Sequence, residues 1–345
     1  MRSIYTIKYD EINSLQQELG LKLNPKVSSE IMNRIYRYPE KPFEFKAHIS
    51  SKLIKRIKEQ FHFTKSPLVK KTVSSDGTQK FLTEVASHKT IESVLISFKN
   101  NYSLCVSSQI GCAMNCSFCH TAKQGLQGQL KVEDIIYQYI HAHLNRQRDI
   151  PITTIVFMGQ GEPLHNFDVI KDAIDILCEP QGISIGRGKV TVSTSGYLPG
   201  IERFHELGGV NFALSLHSVN NDVRSMLIPL NKKYPLQKID QFIQTLNLKE
   251  KQFIEYEYML IKGLNDSIND AKQLASFVQG KKAIVNIIPY NEFFNSQYQT
   301  PEKKQTQLFI DELVKNKIRT MLRGTKGDDI MAACGQLNSS IKKIQ

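Results

Sequence analysis

The nine residues CAMNCSFCH, Cys112 to His120, set three cysteines at a Cys-x3-Cys-x2-Cys spacing with a histidine directly after the last. The other three cysteines of the chain are Cys105, Cys178 and Cys334, so half of its thiols fall in this one stretch. Thiolates are metal ligands and nucleophiles, and four readings compete. A structural zinc site takes four ligands, usually two thiol pairs, and His120 adjoins Cys119 too closely to be an ordinary fourth. Cys-x2-Cys-His is also the attachment pattern of c-type haem, which requires export. Buried small side chains are the third reading. In the fourth, three thiolates leave one iron of a four-iron cluster open for a small chelating ligand, which accounts for the number three.

Composition bounds the compartment and the partner. The chain has 345 residues, 41% of them hydrophobic, enough for a substantial core. No apolar run approaches the length of about 20 residues that a membrane span needs. The start MRSIYTIKYDEINSLQQELG lacks the apolar core of a signal peptide. A cytoplasmic protein without membrane association is expected, and six cysteines are too sparse for a disulfide scaffold. The net charge of +12 favours a polyanionic partner. Much of the excess is local: residues 46 to 71 carry Lys46, Lys52, Lys55, Arg56, Lys58, Lys65, Lys70 and Lys71 against the single acid Glu59. By itself such a run reads first as the solvated face of a surface helix, and charge alone does not name RNA.

The elements that must hold the thiols are legible in the periodicity. Three helices are expected at about 9 to 23, 26 to 37 and 43 to 63, where Ile31, Ile35, Leu53 and Ile57 recur at helical steps. Asp76-Gly77 and Asn100-Asn101 sit between β-prone runs, as hairpin turns do. From SLCVSS onward, strands TTIVFMG, KVTVSTSG, VNFALSLH, FIEYEYMLI and AIVNIIPYN alternate with amphipathic helices, and IRTMLRG follows the last one. The pattern predicts an α/β fold with a parallel sheet covered by helices, either an incomplete six-unit barrel or an open doubly wound sheet. MGQGEP, STSG, SLHS and PYN all fall at strand ends, where such sheets keep their active sites.

The motifs LCVSSQIGCAMNCSFC, MGQGEPLHN, VTVSTSG, SLHSVNNDVRSMLIPLNKKYPL, VNIIPYN and TKGDDIMAACGQL occur together and in order between about residues 72 and 338. In this the chain resembles the radical S-adenosylmethionine (SAM) enzymes, and within them the bacterial adenine-C2 methyltransferases of 23S rRNA and tRNA. A sister group methylates carbon 8 of the same rRNA adenine; TAKQGL after the thiol loop looks more like the C2 group. The resemblance implies a partial (β/α)6 barrel over 105–338, an N-terminal helical accessory domain for RNA over 1–70, a β-hairpin extension over 71–104 and a tail over 339–345. Cys112, Cys116 and Cys119 would hold a 4Fe-4S cluster. Gly161, Glu162, Ser193, Ser215, Leu216, His217 and Asn291 would bind SAM, two molecules of which are used per turnover.

The resemblance further implies that Cys334 accepts a methyl group, that Cys105 resolves the adduct through a transient disulfide, and that Glu92 is the general base. The chemical need is general. Carbon 2 or 8 of adenine is not nucleophilic, so a radical route must deliver the carbon, a base must remove the ring proton and a second thiolate must free the product. Partners implied are 23S rRNA, tRNA and a flavodoxin- or ferredoxin-type electron donor, for an enzyme acting as a monomer. Each residue also has an ordinary reading: Cys334 and Cys105 as packed small side chains, Glu92 as an exposed strand residue, Glu162 as a helix cap, His217 as a satisfied barrel-end histidine. A non-catalytic iron–sulfur RNA-binding protein would need neither Cys105 nor Cys334. The chain departs from the family pattern at Gln160, where Met is usual, at Met331, where an acid is common, at His120, where a small residue is usual, and in lacking a Phe-Arg-Ala-Lys-Gln start to its second helix. Cys178 has no motif.

Overall fold

A computed structural model of the chain describes residues 1–40, 48–85, 88–147 and 149–339. The N-terminal layer holds α1 (Tyr9–Glu18), α2 (Pro25–Arg37) and α3 (Ser51–Gln60) with a short parallel pair, β1 (Arg2–Ser3) and β2 (Phe61–His62). α2 begins at Pro25 with the Asn24 side chain accepting from the Lys26 N–H, a local N-terminal signal in the sequence. The third helix is shorter than periodicity predicts; residues 43–47 of that expectation lie outside the described residues. α3 buries Leu53 and Ile57 on one side and exposes Lys52, Lys55, Arg56 and Lys58.

Next comes an antiparallel meander, β3 (Leu68–Val73), β4 (Gln79–Val85) and β5 (Lys89–Ser97), with the expected turn at Asp76-Gly77. β5 pairs with β6 (Tyr102–Cys105) across Asn100-Asn101. A small antiparallel pair, β7 (Gln109–Gly111) and β8 (Leu126–Gln129), brackets the thiol loop. The barrel continues through α4 (Val132–Asn145), β9 (Ile152–Phe157), α5 (Phe167–Leu177), β10 (Val190–Thr194), α6 (Leu198–Glu202) and β11 (Asn211–Ser215). It closes its run with α7 (Asn221–Leu227), α8 (Leu236–Gln244), β12 (Ile254–Leu260), α9 (Ile268–Val278), β13 (Ala283–Pro289), α10 (Lys303–Lys315) and β14 (Thr320–Leu322).

All ten strands of the main sheet lie in the order β14-β13-β12-β11-β10-β9-β6-β5-β4-β3. From β6 to β14 each parallel strand lies beside the next barrel strand in the chain, so the crossover direction never reverses. A doubly wound sheet has a reversal point, so the alternative left open by the pattern resolves to the partial barrel. Leu104, Ile155, Val192, Leu214, Tyr256 and Val285 face the helices and form one core with the N-terminal layer. Alternation then puts Cys105, Val156, Ser193, Ser215, Glu257 and Asn286 on the opposite, inner face. The meander joins this same sheet, and Val94, register partner of Cys105, carries the inner face outward to Glu92.

Helix α4 is buried from Asp134 to Ala142 because the sheet covers one side and the N-terminal layer the other. Tyr137 donates to the Thr64 carbonyl at 2.7 Å and lies 2.9 Å from Ser3 Oγ, joining the two layers. Among the described residues no helix is long and apolar enough to cross a membrane.

Candidate active site

The thiol loop is pinned at both ends by the β7–β8 pair. Gly111 has φ +73°, and a Cβ there would come within 1.9 Å of the Gly125 carbonyl oxygen, so the loop can leave β7 only through glycine. Inside it, the Cys112 N–H donates to Gly125 O at 3.1 Å and Cys119 N–H to Cys116 O at 3.1 Å. Phe118, Leu227, Met259, Tyr290 and Phe293 pack around the loop. Cys112 is buried, and Cys116 and Cys119 are half-buried. Burial pushes the Cys112 thiol up to about 12 and raises Cys116 and Cys119, with the neighbouring thiols adding to the first two. Such thiols shed their protons readily only to a metal.

Among the described residues no three His, Cys, Asp or Glu side chains are grouped around one point as a single metal ion requires. A four-iron cluster is different, because it takes each thiolate on a separate iron. The charge balance fits it. Arg224 is fully buried and its Nη2 donates to the carbonyls of Ser195 at 3.0 Å and Ser215 at 3.1 Å, while Nε and Nη1 have no protein partner. This guanidinium opposes the rise in the Cys116 thiol, so an unsatisfied buried cation stands where an anionic cluster would bind. Arg224 was not singled out from sequence, although it lies inside the quoted SLHSVNNDVRSMLIPL motif.

Gly161 has φ +101°, and a Cβ there would meet Gln109 Cβ at 2.6 Å and Ser108 Oγ at 2.7 Å; the GQGEP loop therefore lies directly on the start of the thiol loop. Glu162 is buried. Its Oε2 accepts from Ser195 N at 2.8 Å and Ser195 Oγ at 2.7 Å, and Oε1 accepts from Leu164 N at 3.2 Å, so the capping reading holds in addition to any ligand role. Burial pushes its carboxyl up, and the Ser195 hydrogen bonds oppose this. Ser193 and Ser215 stand on the inner face, Ser215 in register with Glu257, which is in register with Asn286. Leu216 turns its side chain into the core; its N–H donates to Glu257 O at 2.9 Å and its carbonyl accepts from Ser218 N at 2.7 Å.

His217, at φ +56°, accepts the Met259 N–H on Nδ1 at 3.0 Å and meets the Phe118 ring edge-on. Burial, helped by Arg224, holds its pKa down to about 3, so it stays neutral with its proton on Nε2.

Cys334 rides on a C-terminal segment that folds back over the barrel mouth. Asn291 Nδ2 donates to the Cys334 carbonyl at 3.3 Å and its Oδ1 accepts from Thr325 Oγ1 at 3.0 Å, so this residue anchors the segment. His120 supplies what its sequence position left without explanation. Its N–H donates to Gly335 O at 2.7 Å, its ring reaches Gln336 O and Asn338 Nδ2, and it stacks on Phe293 at 4.6 Å. Cys105 packs with Val94, Ala332 and Leu337, which brings it to the same segment. All six cysteines are free thiols. Burial, then Cys334, pushes the Cys105 thiol well up. Cys334 keeps its side chain open to solvent although protein surrounds it; desolvation by that protein and the Glu257 carboxylate push its thiol up to about 11. Glu92 is buried 2.9 Å from Lys80 Nζ, with Oε2 accepting from Asn338 N at 2.8 Å. Cys178 lies at the far side, against the N-terminal layer.

The barrel, the thiol loop and the polar inner face define a radical SAM enzyme. The radical SAM superfamily model matches residues 106–275, and a radical SAM methyltransferase from Sphaerobacter thermophilus superposes with a TM-score of 0.87 at 30% identity, over 99% of this chain and 100% of that one. Curated relatives named dual-specificity RNA methyltransferase RlmN are 34% identical in Rhizobium johnstonii, over 99% of this chain and 90% of the relative, and 36% identical in Sinorhizobium fredii, over 92% and 82%. The chain belongs to this RlmN family. Its cofactors are therefore a 4Fe-4S cluster and SAM.

Proposed function

We propose that this protein methylates carbon 2 of an adenine in 23S rRNA and in tRNA, with Cys334 as the methyl-carrying residue, Cys105 as the resolving thiol and Glu92 as the base. What carries the reading is Glu92 and Cys105 on neighbouring strands of one sheet face, with the Cys334 segment folded against that face. A purely RNA-binding protein needs none of the three. Cys112, Cys116 and Cys119 hold the cluster; Gly161, Glu162, Ser193, Ser215, Leu216, His217 and Asn291 bind SAM. When bound, these cofactors supply the methyl group and the one-electron chemistry that a non-nucleophilic ring carbon requires.

The protein's own residues do the rest. Cys334 carries the carbon on sulfur to the ring. Glu92 takes the ring proton; the Cys105 thiol gives up its proton and its sulfur attacks the Cys334 sulfur, the bond from that sulfur to the transferred carbon breaks with its electron pair on the carbon, and protonation of this carbon completes the methyl group and leaves a Cys105–Cys334 disulfide. The depth of Cys105 keeps its thiol protonated at neutral pH, which protects the pair from premature oxidation. Residues 1–70 serve as the RNA-binding accessory domain, 71–104 as its β extension and 105–338 as the barrel, with 339–345 a tail. The enzyme works in the cytoplasm as a monomer, reduced by a flavodoxin or ferredoxin.

Mass spectrometry of nucleosides from 23S rRNA and tRNA tests this in a host lacking its own methyltransferase. 2-Methyladenosine is expected with the intact chain and none with Cys334→Ala. 8-Methyladenosine would select the sister activity, and neither nucleoside from an enzyme that binds SAM and carries its cluster would overturn the substrate.

A further inference from the structure

A buried polar cluster surrounds Glu92. Lys80, on β4 opposite Val94, is 15% exposed at its side chain, and its Nζ stands 2.9 Å from Glu92 Oε1. The same ammonium donates to the Met331 carbonyl at 3.1 Å. Met331 is held at φ +54°, three residues before Cys334. The second carboxylate oxygen of Glu92 accepts from the Asn338 N–H at 2.8 Å, four residues after Cys334. Gln160, which like Met331 departs from the family pattern, accepts the Glu92 N–H at 2.8 Å and donates to Ser339 Oγ at 3.2 Å. Glu92 is thus fastened to both flanks of the Cys334 segment.

We propose that Lys80 is a positioning residue that keeps Glu92 ionised and registers it against the Cys334 segment, so that base and methyl-carrying sulfur meet the adenine in one fixed geometry. A carboxylate this buried tends to hold its proton, and a cation at contact distance opposes that tendency. Burial raises the Glu92 carboxyl, and Lys80 is the largest influence pulling it back. His120 reaches the same segment, its ring bonding the Asn338 side chain at 2.7 Å. Through Met331, Lys80 also resists any shift of the segment relative to the base. The proton accepted is the one on the ring carbon that gains the new carbon; its C–H electron pair stays with the ring.

The inference rests on Glu92 being the base, and the experiment separates the two. Reconstituted holoenzyme and unmodified 23S rRNA transcript are followed in single turnover across pH for the wild type, Lys80→Met, Lys80→Arg and Glu92→Gln. Lys80→Met is expected to move the acidic limb of product release up by about one pH unit or more. It should also let tethered RNA–protein adduct build up on denaturing gels, while Lys80→Arg restores the limb. In the resting protein, alkylation of Cys334 should quicken severalfold in Lys80→Met. Lys80→Gln keeps a donor for both acceptors but not the charge; it should show the same limb shift and serves where the methionine variant fails to fold. A uniform loss of rate at every pH, with the limb unmoved, would reduce Lys80 to a structural ion pair and overturn the proposal. Wild-type release from Glu92→Gln would instead remove Glu92 as the base.

Discussion

Two buried charges inside the barrel set the electrostatics around Cys334 and the thiol loop. Glu257 shares the inner face with Asn286, which donates to its Oε1 at 2.7 Å, and burial pushes its carboxyl up to about 7, with Arg323 opposing and Glu255 adding. A folded-state value above the unfolded one means the native protein binds the extra proton between about pH 4.5 and 7. Stability from this group is therefore intact below the lower value and falls as pH rises through the upper one, by about 3 kcal/mol. Denaturant unfolding of Glu257→Gln should show a flatter pH dependence than the wild type and greater relative stability at pH 8; an unchanged slope would place the titration elsewhere. Arg224 carries the complementary charge, and its two nitrogens without a protein partner are a cost that an anionic group bound beside Cys116 would offset.

The β7–β8 pair fixes the thiol loop as an element. Because the clash at Gly111 is with backbone, no side-chain rotation relieves it, and the positive φ adds strain. Gly111→Ala should cost at least about 2 kcal/mol and lower iron content together with the visible absorption of the reconstituted cluster. Gly128 of the same pair meets only Ile110 Cδ1, at 3.4 Å, so Gly128→Ala should keep its iron. Equal iron in the two variants would mean the pair does not shape the loop. The C-terminal segment is the second decisive element. The cluster loop, through His120, and the meander, through Lys80, Ser74 and Asp76, hold it from two sides: Ser74 Oγ donates to Asp329 at 2.6 Å and Gly327 N to Asp76 at 3.2 Å.

At the scale of the whole molecule, part of the excess positive charge lies on the N-terminal layer. Lys52, Lys55, Arg56 and Lys58 share the solvent face of α3, while its apolar face is spent on the core. Phosphate contacts give affinity without sequence and make it salt-dependent, with roughly one unit of log–log salt slope per contact. Replacing these four with Glu should weaken binding to rRNA, flatten its salt dependence and leave cluster assembly intact. Affinity unchanged across salt would move the RNA interface off this helix.

What the sequence by itself determined is what local chemistry and periodicity encode. The thiol spacing, the Asp76-Gly77 and Asn100-Asn101 turns and the strand–helix alternation all depend on neighbours within a few residues, and each is present in the fold. Strand alternation alone put Cys105 opposite Leu104 and Val106, but not on which side the barrel interior lay. Pairings between distant segments were beyond its reach. Nothing near His120 announces a bond to Gly335, nothing near Lys80 announces Glu92 and Met331, and Arg224 reads as an ordinary helical arginine. These contacts exist because closing the barrel brings the meander, the thiol loop and the C-terminal segment to one mouth, where burial makes every charge and hydrogen bond count. The tertiary structure alone brings Glu92, Cys105 and the segment that carries Cys334 to a single place.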